Sequence, residues 1–224
     1  EMTENYDFHG IFTELHQFCN SDLSAFYFEI RKDMLYCDLP DSTGRRACRM
    51  VMHELFNRLT AWLAPIICFT AEEAWQSYVD DPQNSVHLRS YDATPEIWHN
   101  ADIEAKWTTI RQVRQVVMSA LEKARNDGAI GASLQAAPLV YVTADMQTAF
   151  AGQDAASLFI TSAATITTDT PAADAFRLDT VADVAVGFAA ATGEKCARCW
   201  KVMPEVRGPD GICKRCTDVV ATLA

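Results

Sequence analysis

Several features that would indicate an enzyme or a membrane protein are missing from this sequence. No run approaches 18 consecutive apolar residues, so we expect no membrane-spanning helix. The first residues carry neither a basic start nor an apolar stretch, so we expect no signal peptide. Neither a Gly-x-x-x-x-Gly-Lys phosphate loop nor a Gly-x-Gly-x-x-Gly turn is present. Five scattered histidines match no nucleophile, general-base or metal motif: His9, His16, His53, His87 and His99. These absences favour recognition over catalysis.

Positive charge is scarce and unevenly distributed. The chain has 19 Lys/Arg and 30 Asp/Glu, for a formal net charge of −11. Residues 1–30 carry six acids and no Lys or Arg, and residues 144–190 carry six Asp and one Arg. Residues 31–58 reverse this balance, with six Lys/Arg and four acids. Such a chain can bind a polyanion only by placing its few cations well, because its overall field repels that ligand.

Half of the eight cysteines form two Cys-x-x-Cys pairs separated by thirteen residues: Cys196, Cys199, Cys213 and Cys216. Each pair can chelate from one turn while the loop closes a tetrahedral site, so the spacing predicts a Cys₄ zinc ribbon. The alternative is two disulfides or idle thiols, which fits a chain without an export signal less well. The other four are solitary among apolar residues, and we predict that they are small core hydrophobes: Cys19, Cys37, Cys48 and Cys68.

The segment around the cysteine pairs is basic. Residues 193–216 carry six Lys/Arg against three acids, and four thiolates with one Zn²⁺ bring the segment to +1. This basic island on an acidic chain is a candidate footprint for phosphate, and the alternative is that its cations only neutralise the thiolates. Its candidate contacts are Arg198, Lys201, Lys214 and Arg215. Trp200 follows a zinc ligand and could stack on a base or form a hydrophobic lid over the zinc.

Helical periodicity dominates residues 5–80. We expect a break with a cap at residues 20–22, and then a long helix over residues 45–63. The predicted inward positions of that helix are Met50, Val51, Leu55, Phe56, Leu59 and Leu63. The run Thr-Ala-Glu-Glu at residues 70–73 predicts a capping box that opens a short helix. Residues 80–100, with two prolines, predict an extended linker.

A second long helix is predicted over residues 103–126, ending near Gly128. Its apolar stripe consists of Trp107, Ile110, Val113, Val117, Leu121 and Ala124. Three arginines fall within about 60° of one another on one flank of the stripe: Arg111, Arg114 and Arg125. A cationic row of this kind could contact a nucleic-acid backbone, and it could equally be a solvated face.

The composition shifts to Ala, Thr, Val and Asp beyond the second helix. We expect strands over residues 138–142, 158–165 and 181–190, with a short helix capped by Thr143. The predicted fold is mainly α and has three parts. They are a helical bundle over residues 1–131, a small α/β connector over residues 132–192, and a Cys₄ zinc ribbon over residues 193–224.

Several stretches together resemble a known family. DLSAFYF at residues 22–28, RKDMLY at 31–36 and LAPIICFTAEEAW at 63–75 resemble the anticodon-binding helical domain of class I aminoacyl-tRNA synthetases. LEKAR at 121–125 and IGASLQA at 130–136 are similar to the segment that leaves that bundle. KCARCW at 195–200 and CKRC at 213–216 are similar to the terminal zinc finger of bacterial isoleucyl-tRNA synthetases. The resemblance covers nearly the whole chain, with the motifs in family order.

The resemblance implies a fragment that recognises tRNA and does not perform chemistry. The family's catalytic signatures, His-Ile-Gly-His and Lys-Met-Ser-Lys-Ser, and its editing domain are missing, so the chain resembles a C-terminal part. The parent would ligate isoleucine to its tRNA with ATP, in the cytoplasm and as a monomer. The implied cofactor is one structural Zn²⁺. Gln135 stands where the family pattern has Glu, which weakens any role for a carboxylate there.

Two other functions remain open from the residues alone. Zinc fingers of the formamidopyrimidine-DNA glycosylase type resemble this ribbon, although no glycosylase N-terminal nucleophile is present. A scaffold for protein–protein contacts with a purely structural zinc is the other alternative.

Overall fold

The computed structural model describes residues 2–208 and 210–223. The chain forms two compact units, one built from residues 1–38 and 101–224 and the other from residues 39–100. Compactness therefore groups the chain differently from the three segments proposed from sequence, and that three-part division stays a prediction. Within the described residues no helix combines the length and the apolar character that crossing a bilayer requires.

The first unit begins with one nearly continuous helical run. Helix α1 (Phe8–Gln17) passes into a π-helical stretch (Phe18–Phe28) and then into α2 (Glu29–Cys37). The break expected at residues 20–22 is wrong, because the backbone widens into π turns instead of stopping. Asp22 is turned outward to pair with Arg111 and does not cap a new helix.

Helix α5 (Ala101–Asn126) is the central helix of this unit. Its predicted stripe is confirmed, with six of its positions almost completely buried: Ile110, Val113, Val116, Val117, Leu121 and Ala124. Trp107 is half-buried and meets the ring of Phe26 edge-on, with 6.0 Å between centroids. The helix ends where Gly128 takes a left-handed conformation, with φ of 76°. The hydrophobic core thus follows the 3.6-residue period of α5.

A four-stranded sheet packs against α5. Its strands are β1 (Leu139–Tyr141), β2 (Thr165–Thr167), β3 (Phe176–Leu178) and β4 (Val181–Gly187). The order is β2-β1-β4-β3; β1 and β2 are parallel, and the other neighbours are antiparallel. Helices α6 (Ala144–Ala149) and α7 (Ala155–Phe159) form the crossover between the parallel strands.

The predictions for this α/β part are confirmed at its start and wrong in its middle. The Thr143 hydroxyl accepts the Met146 N–H and caps α6, as expected. The strand expected over residues 158–165 is wrong, since Leu158 and Phe159 end α7 as buried helical residues. Asp154 caps that helix by accepting the Ser157 N–H, and Ile160 ends it in a left-handed conformation. The apolar run there is buried by a helix end and a turn.

The first unit closes with a small ribbon. Strands β5 (Glu194–Lys195) and β6 (Val202–Met203) form an antiparallel hairpin, and α8 (Lys214–Leu223) follows the second cysteine pair. The predicted fold class is confirmed: helices dominate, a small α/β part follows, and four cysteines cluster near the C-terminus.

The second unit is a helical hairpin of α3 (Thr43–Leu63) and α4 (Cys68–Val79). The expected linker packs back on it through two 3₁₀ turns, Val86–Leu88 and Glu96–Trp98, and Val86 is fully buried. The expected capping box is wrong, because α4 already starts at Cys68. The Glu72 carboxylate instead accepts the Val86 N–H at 2.8 Å.

Two further expectations for the second unit are wrong. Met50 and Val51 are exposed, because the first half of α3 has little of its own unit beside it and only Cys48 is buried there. Cys68 is also exposed, at the first turn of α4, so it is not a core hydrophobe. Of the other solitary thiols, Cys37 and Cys48 are buried as expected and Cys19 is half-buried.

Candidate metal centre and nucleic-acid interface

Two chain turns bring the four predicted ligands together. The Sγ atoms of Cys196, Cys199, Cys213 and Cys216 all lie within 4.8 Å of one another, and all four residues are buried. The Cys199 and Cys213 sulfurs are 3.8 Å apart. A tetrahedral ion with metal–sulfur bonds of about 2.3 Å has sulfurs about 3.8 Å apart. The site can therefore hold a thiophilic metal ion without rearrangement of the backbone.

The ribbon backbone prepares one thiol for ionisation. The N–H groups of Cys199 and Cys213 point at the Cys196 sulfur, at 3.5 and 3.3 Å. Burial alone would raise the pKa of Cys196, but these N–H donors outweigh it and lower the pKa to about 6. Burial raises the pKa of Cys199 and Cys213. Since metal ligands are thiolates, a bound cation supplies the charge that stabilises the remaining buried sulfurs.

Arg198 attaches the first cysteine pair to the end of α2. Its guanidinium donates to the Cys37 carbonyl at 2.6 Å and to the Tyr36 carbonyl at 3.4 Å, and it lies 3.6 Å from the Cys216 sulfur. The last carbonyls of a helix have no partner within the helix. Arg198 therefore caps α2 and contacts a metal ligand with the same group.

Arg215 attaches the second pair to the same helix. Its guanidinium donates two parallel hydrogen bonds to the Asp33 carboxylate, at 2.6 and 2.7 Å. Burial alone would raise the pKa of Asp33, but the Arg215 fork outweighs it and holds the pKa below its ordinary value. A third attachment comes from β6, where the Val202 N–H donates to the Ser162 hydroxyl at 2.6 Å. The ribbon is thus fixed to its own unit at three points.

The three arginines of α5 occupy different environments. Arg114 donates from Nε to the Leu158 carbonyl at 2.9 Å, and burial lowers the pKa of its guanidinium. Arg111 pairs with Asp22 at 2.6 Å and also lies over the Phe26 ring, 4.6 Å from the centroid. Arg125 forms an exposed ion pair with Glu122. Arg114 therefore joins α5 to α7, whereas Arg111 and Arg125 keep exposed guanidinium groups. Their contacts with a nucleic acid stay a prediction.

Trp200 has an environment unlike that of a core tryptophan. Its side chain is 60 % exposed, and its backbone is left-handed with φ of 69°. That conformation costs a non-glycine residue about 1–2 kcal/mol. It lets the Trp200 N–H donate to the Cys196 carbonyl at 3.0 Å and close the turn. The Lys195 ammonium lies 5.4 Å from the ring centroid. An exposed ring on a strained backbone does not form a lid over the buried thiolates.

The remaining predicted contacts of the ribbon are exposed or half-buried. Lys214 forms a surface ion pair with Asp218 at 2.7 Å. Lys201 is half-buried and lines a cleft of about 380 Å³ that also includes Trp200 and Arg198. Gln135 is placed at a turn, where its Oε1 accepts the N–H groups of Gly131 and Ala132 at 2.6 and 3.1 Å. The amide oxygen can make both bonds, so this turn needs no carboxylate.

The sequence interpretation missed a surface on the second unit. A groove of about 810 Å³ is lined by Arg46, Arg49, Met50, His53, Phe56 and Tyr78, among others. The His53 ring is held between two hydrogen bonds, from Tyr78 Oη to Nδ1 at 2.8 Å and between Asn57 and Nε2 at 2.9 Å. The signal available in the sequence was the pair of arginines three residues apart, which places both on one helical face.

Comparison with known proteins agrees with this architecture. A family model described as the anticodon-binding domain of tRNA ligase matches residues 1–141. The chain therefore belongs to the anticodon-binding domain family of tRNA ligases.

Individual relatives narrow the similarity. An isoleucine–tRNA ligase of Agrobacterium fabrum is 49% identical over 202 residues, which cover 90% of this chain and 21% of the relative. An isoleucine–tRNA ligase of Ruegeria pomeroyi is 47% identical over 214 residues, covering 94% of this chain and 22% of the relative. One from Gluconobacter oxydans is 41% identical over 221 residues, covering 97% and 22%. The chain thus spans about a fifth of the length of these relatives, and the match extends through the ribbon.

The Arg215–Asp33 attachment predicts a stability difference between two neighbouring residues. Replacing Arg215 with Ala leaves the half-buried Asp33 carboxylate without its fork and should lower the free energy of unfolding by about 1–2 kcal/mol. The matched control is Lys214→Ala, which removes the same charge from an exposed pair and should change it by less than about 0.5 kcal/mol. Urea denaturation of both variants with metal bound measures the difference. Equal effects would show that the attachment carries no stability.

The environment of Trp200 predicts that glycine is tolerated there. Trp200→Gly relieves the left-handed backbone, about 1–2 kcal/mol, and loses burial of the covered part of the ring, about 2 kcal/mol. The free energy of unfolding should therefore change by less than about 1 kcal/mol. Trp75, which is 7 % exposed, provides the comparison, and Trp75→Ala should cost about 3–5 kcal/mol. A comparable loss in Trp200→Gly would restore the lid interpretation.

Proposed function

We propose that this chain binds the anticodon stem-loop of a tRNA, and that the tRNA is the one that accepts isoleucine. The observation that carries the proposal is Trp200, an exposed aromatic ring on a strained backbone beside a basic metal-binding ribbon. Membership of the anticodon-binding family and the isoleucine–tRNA ligase relatives support it. Unstacked loop bases are recognised by aromatic stacking, which explains why exposure is maintained at a cost in backbone strain.

The predicted cationic residues divide into two roles in this proposal. Arg111, Arg125, Lys201 and Lys214 would contact phosphates, because their charged groups reach solvent. Arg114, Arg198 and Arg215 would position the surface, because their guanidinium groups are engaged by the Leu158 carbonyl, the end of α2 and Asp33. Exposed ion pairs with acids are weak, so phosphates can displace them.

We assign one structural Zn²⁺ to the four cysteines. A closed set of four thiolates with no open position is typical of structural zinc, and the sulfur spacing fits its tetrahedral radius. The ion would supply the folding free energy that the ribbon lacks. The ribbon's core holds Val206, Cys37 and the four ligands, with Met203 and Ile212 packed against it. The metal would shape the surface and take no part in a reaction.

We propose that this part of the protein contributes recognition and no chemistry. The relatives are about five times longer, so activation of isoleucine with ATP and its transfer to tRNA would be carried by regions beyond this similarity. Charging of tRNA in bacteria takes place in the cytoplasm, so we assign the chain there, acting as a monomer on one tRNA.

The zinc assignment predicts a selective loss. In Cys199→Ser the hydroxyl is a poor substitute for a thiolate, so zinc content should fall from one per chain to near zero and the ribbon should unfold from about Gly193 onward. The bundle and sheet should keep their structure, since their core lies in other residues. Cys68→Ser is the matched control, because Cys68 is exposed and outside the cluster, and it should retain one zinc. Metal analysis and circular dichroism make the measurement; a full zinc complement in Cys199→Ser contradicts the assignment.

The binding assignment predicts salt dependence and a preference for RNA. Affinity for an isoleucine tRNA should fall steeply with salt and exceed affinity for duplex DNA of equal charge. Lys201→Ala should make the slope of log K against log[salt] shallower by about one contact and weaken different tRNAs alike. Arg177→Ala removes the same charge from the exposed strand β3 and should leave the slope unchanged. Equal binding of tRNA and duplex DNA would favour the DNA-binding alternative, and no binding of either would favour a scaffold.

A further inference from the structure

A cleft beside Trp200 is not required by phosphate contacts alone. It lies within the first unit, between α2, the turn at residues 132–134, the end of α7 and the first cysteine pair, and it encloses about 380 Å³. Its inner wall includes Ile30, Leu134 and Ile160, and its edge carries Tyr36 and Trp200, which are 76 % and 60 % exposed. A volume near the lower end of ligand-pocket sizes suits one flat heteroaromatic group, and a helix of RNA cannot enter it.

The Trp200 ring separates this cleft from a second cavity. Trp200 lines both, and the second cavity of about 270 Å³ also contains Lys195 and Gly208. The Lys195 ammonium lies over the ring and belongs to the second cavity alone, so it covers the ring from that side. The side that faces the cleft remains available for stacking. A cation on the far face leaves the near face free for the π system of a base.

The charges around the cleft favour one phosphate over several. Glu29 is paired with Lys32 at 2.9 Å and Asp33 with Arg215, so neither carboxylate presents an unpaired charge. Lys201 lines the cleft and forms no hydrogen bond or ion pair within residues 2–208 and 210–223. One available ammonium can bind one phosphate of a chain, whereas a free nucleoside triphosphate needs a cluster of cations or a glycine-rich loop.

We propose that this cleft takes one unstacked nucleotide of a single-stranded RNA loop, with its base stacked on the cleft side of Trp200 and its phosphate at Lys201. The inference rests on the proposed function and makes it specific. One position of the bound loop is extruded into the cleft, and the neighbouring phosphates follow the exposed cations of the ribbon. The left-handed backbone at Trp200 is then the device that turns the ring outward beside a metal ligand.

The test pairs changes in the protein with changes in the RNA. The RNA is a hairpin with the anticodon stem and loop of an isoleucine tRNA, and an abasic nucleotide replaces each loop position in turn. Each hairpin is titrated against the zinc-loaded full chain and against Trp200→Gly. Loss of one base stack should weaken binding about 5- to 150-fold. At one loop position, the abasic change should weaken the native chain by this factor and have no further effect on Trp200→Gly.

Two further variants separate stacking from packing. Trp200→Phe retains a smaller aromatic face and should keep most of the affinity, whereas Trp200→Leu retains apolar bulk without a π face and should bind as weakly as Trp200→Gly. Equal affinities of the Phe and Leu variants would overturn stacking, even if the Gly variant fails to fold. Phe69→Ala is the control for loss of an exposed aromatic, since Phe69 is 91 % exposed on the other unit, and it should show no coupling to the same loop position.

The outcomes distinguish this inference from the function it rests on. If the native chain binds the intact hairpin but no loop position couples to Trp200, the cleft assignment is wrong and anticodon binding stands. If the native chain does not bind the hairpin, the proposed function fails and the cleft assignment with it. Adenosine monophosphate alone should bind far more weakly than the hairpin. Equal affinity for the mononucleotide, together with unchanged binding of every abasic hairpin, would assign the cleft to a free nucleotide.

Discussion

The crowding of four thiols into one buried cluster is the constraint on which the ribbon depends. The two hairpin strands are two residues long each, and the apolar side chains around them are few. A segment of this size cannot bury enough apolar surface to hold its own conformation. Four ionised sulfurs in such a space would repel one another, so the cluster is stable only with a cation at its centre. The surrounding N–H groups and Arg198 supply the smaller part of that charge.

The ribbon's position follows from contacts that are distant in sequence. Arg198 and Arg215, each next to a ligand, reach α2, and β6 reaches Ser162. These attachments turn a basic segment into a rigid surface, with Lys201 and Trp200 beside a cleft whose other wall is α2. The cations therefore differ in what they can do. Those that fix the ribbon are engaged by protein groups, and those at its surface face solvent.

Regular patterns and short motifs were predictable, and tertiary contacts were not. The stripe of α5, the Thr143 cap and the cysteine cluster each follow from a local rule of period, cap or spacing, and each is confirmed. The run at residues 158–165 was misread because its β-branched residues outweighed the Asp154 cap that starts α7. Glu72 had the position of a capping-box residue, but its partner is the N–H of Val86, fourteen residues away. Exposure of Met50 depends on what lies beside the helix, which no periodicity records.

The candidate site shows the same division. Its ligand residues could be read from spacing alone, because a metal defines its own geometry. The roles of the arginines could not, since a guanidinium that binds phosphate and one that caps a helix have the same sequence signature. Arg114 and Arg125 fall on one flank of α5, yet one donates to a buried carbonyl and the other pairs with an exposed acid. The conformation of Trp200 also needed the structure, because a tryptophan is not expected where the backbone is left-handed.

The capping of α2 by Arg198 has a consequence for synthesis of the chain. The helix ends at Cys37, and the guanidinium that satisfies its last carbonyls lies 161 residues further along. At ribosomal rates of about 5–20 residues per second, that cap is made roughly 8–30 s after the helix itself. During this interval the end of α2 is solvated and the sheet is assembled beside it. The last element to be translated therefore completes one of the first, and metal capture at the ribbon is the step that closes the first unit.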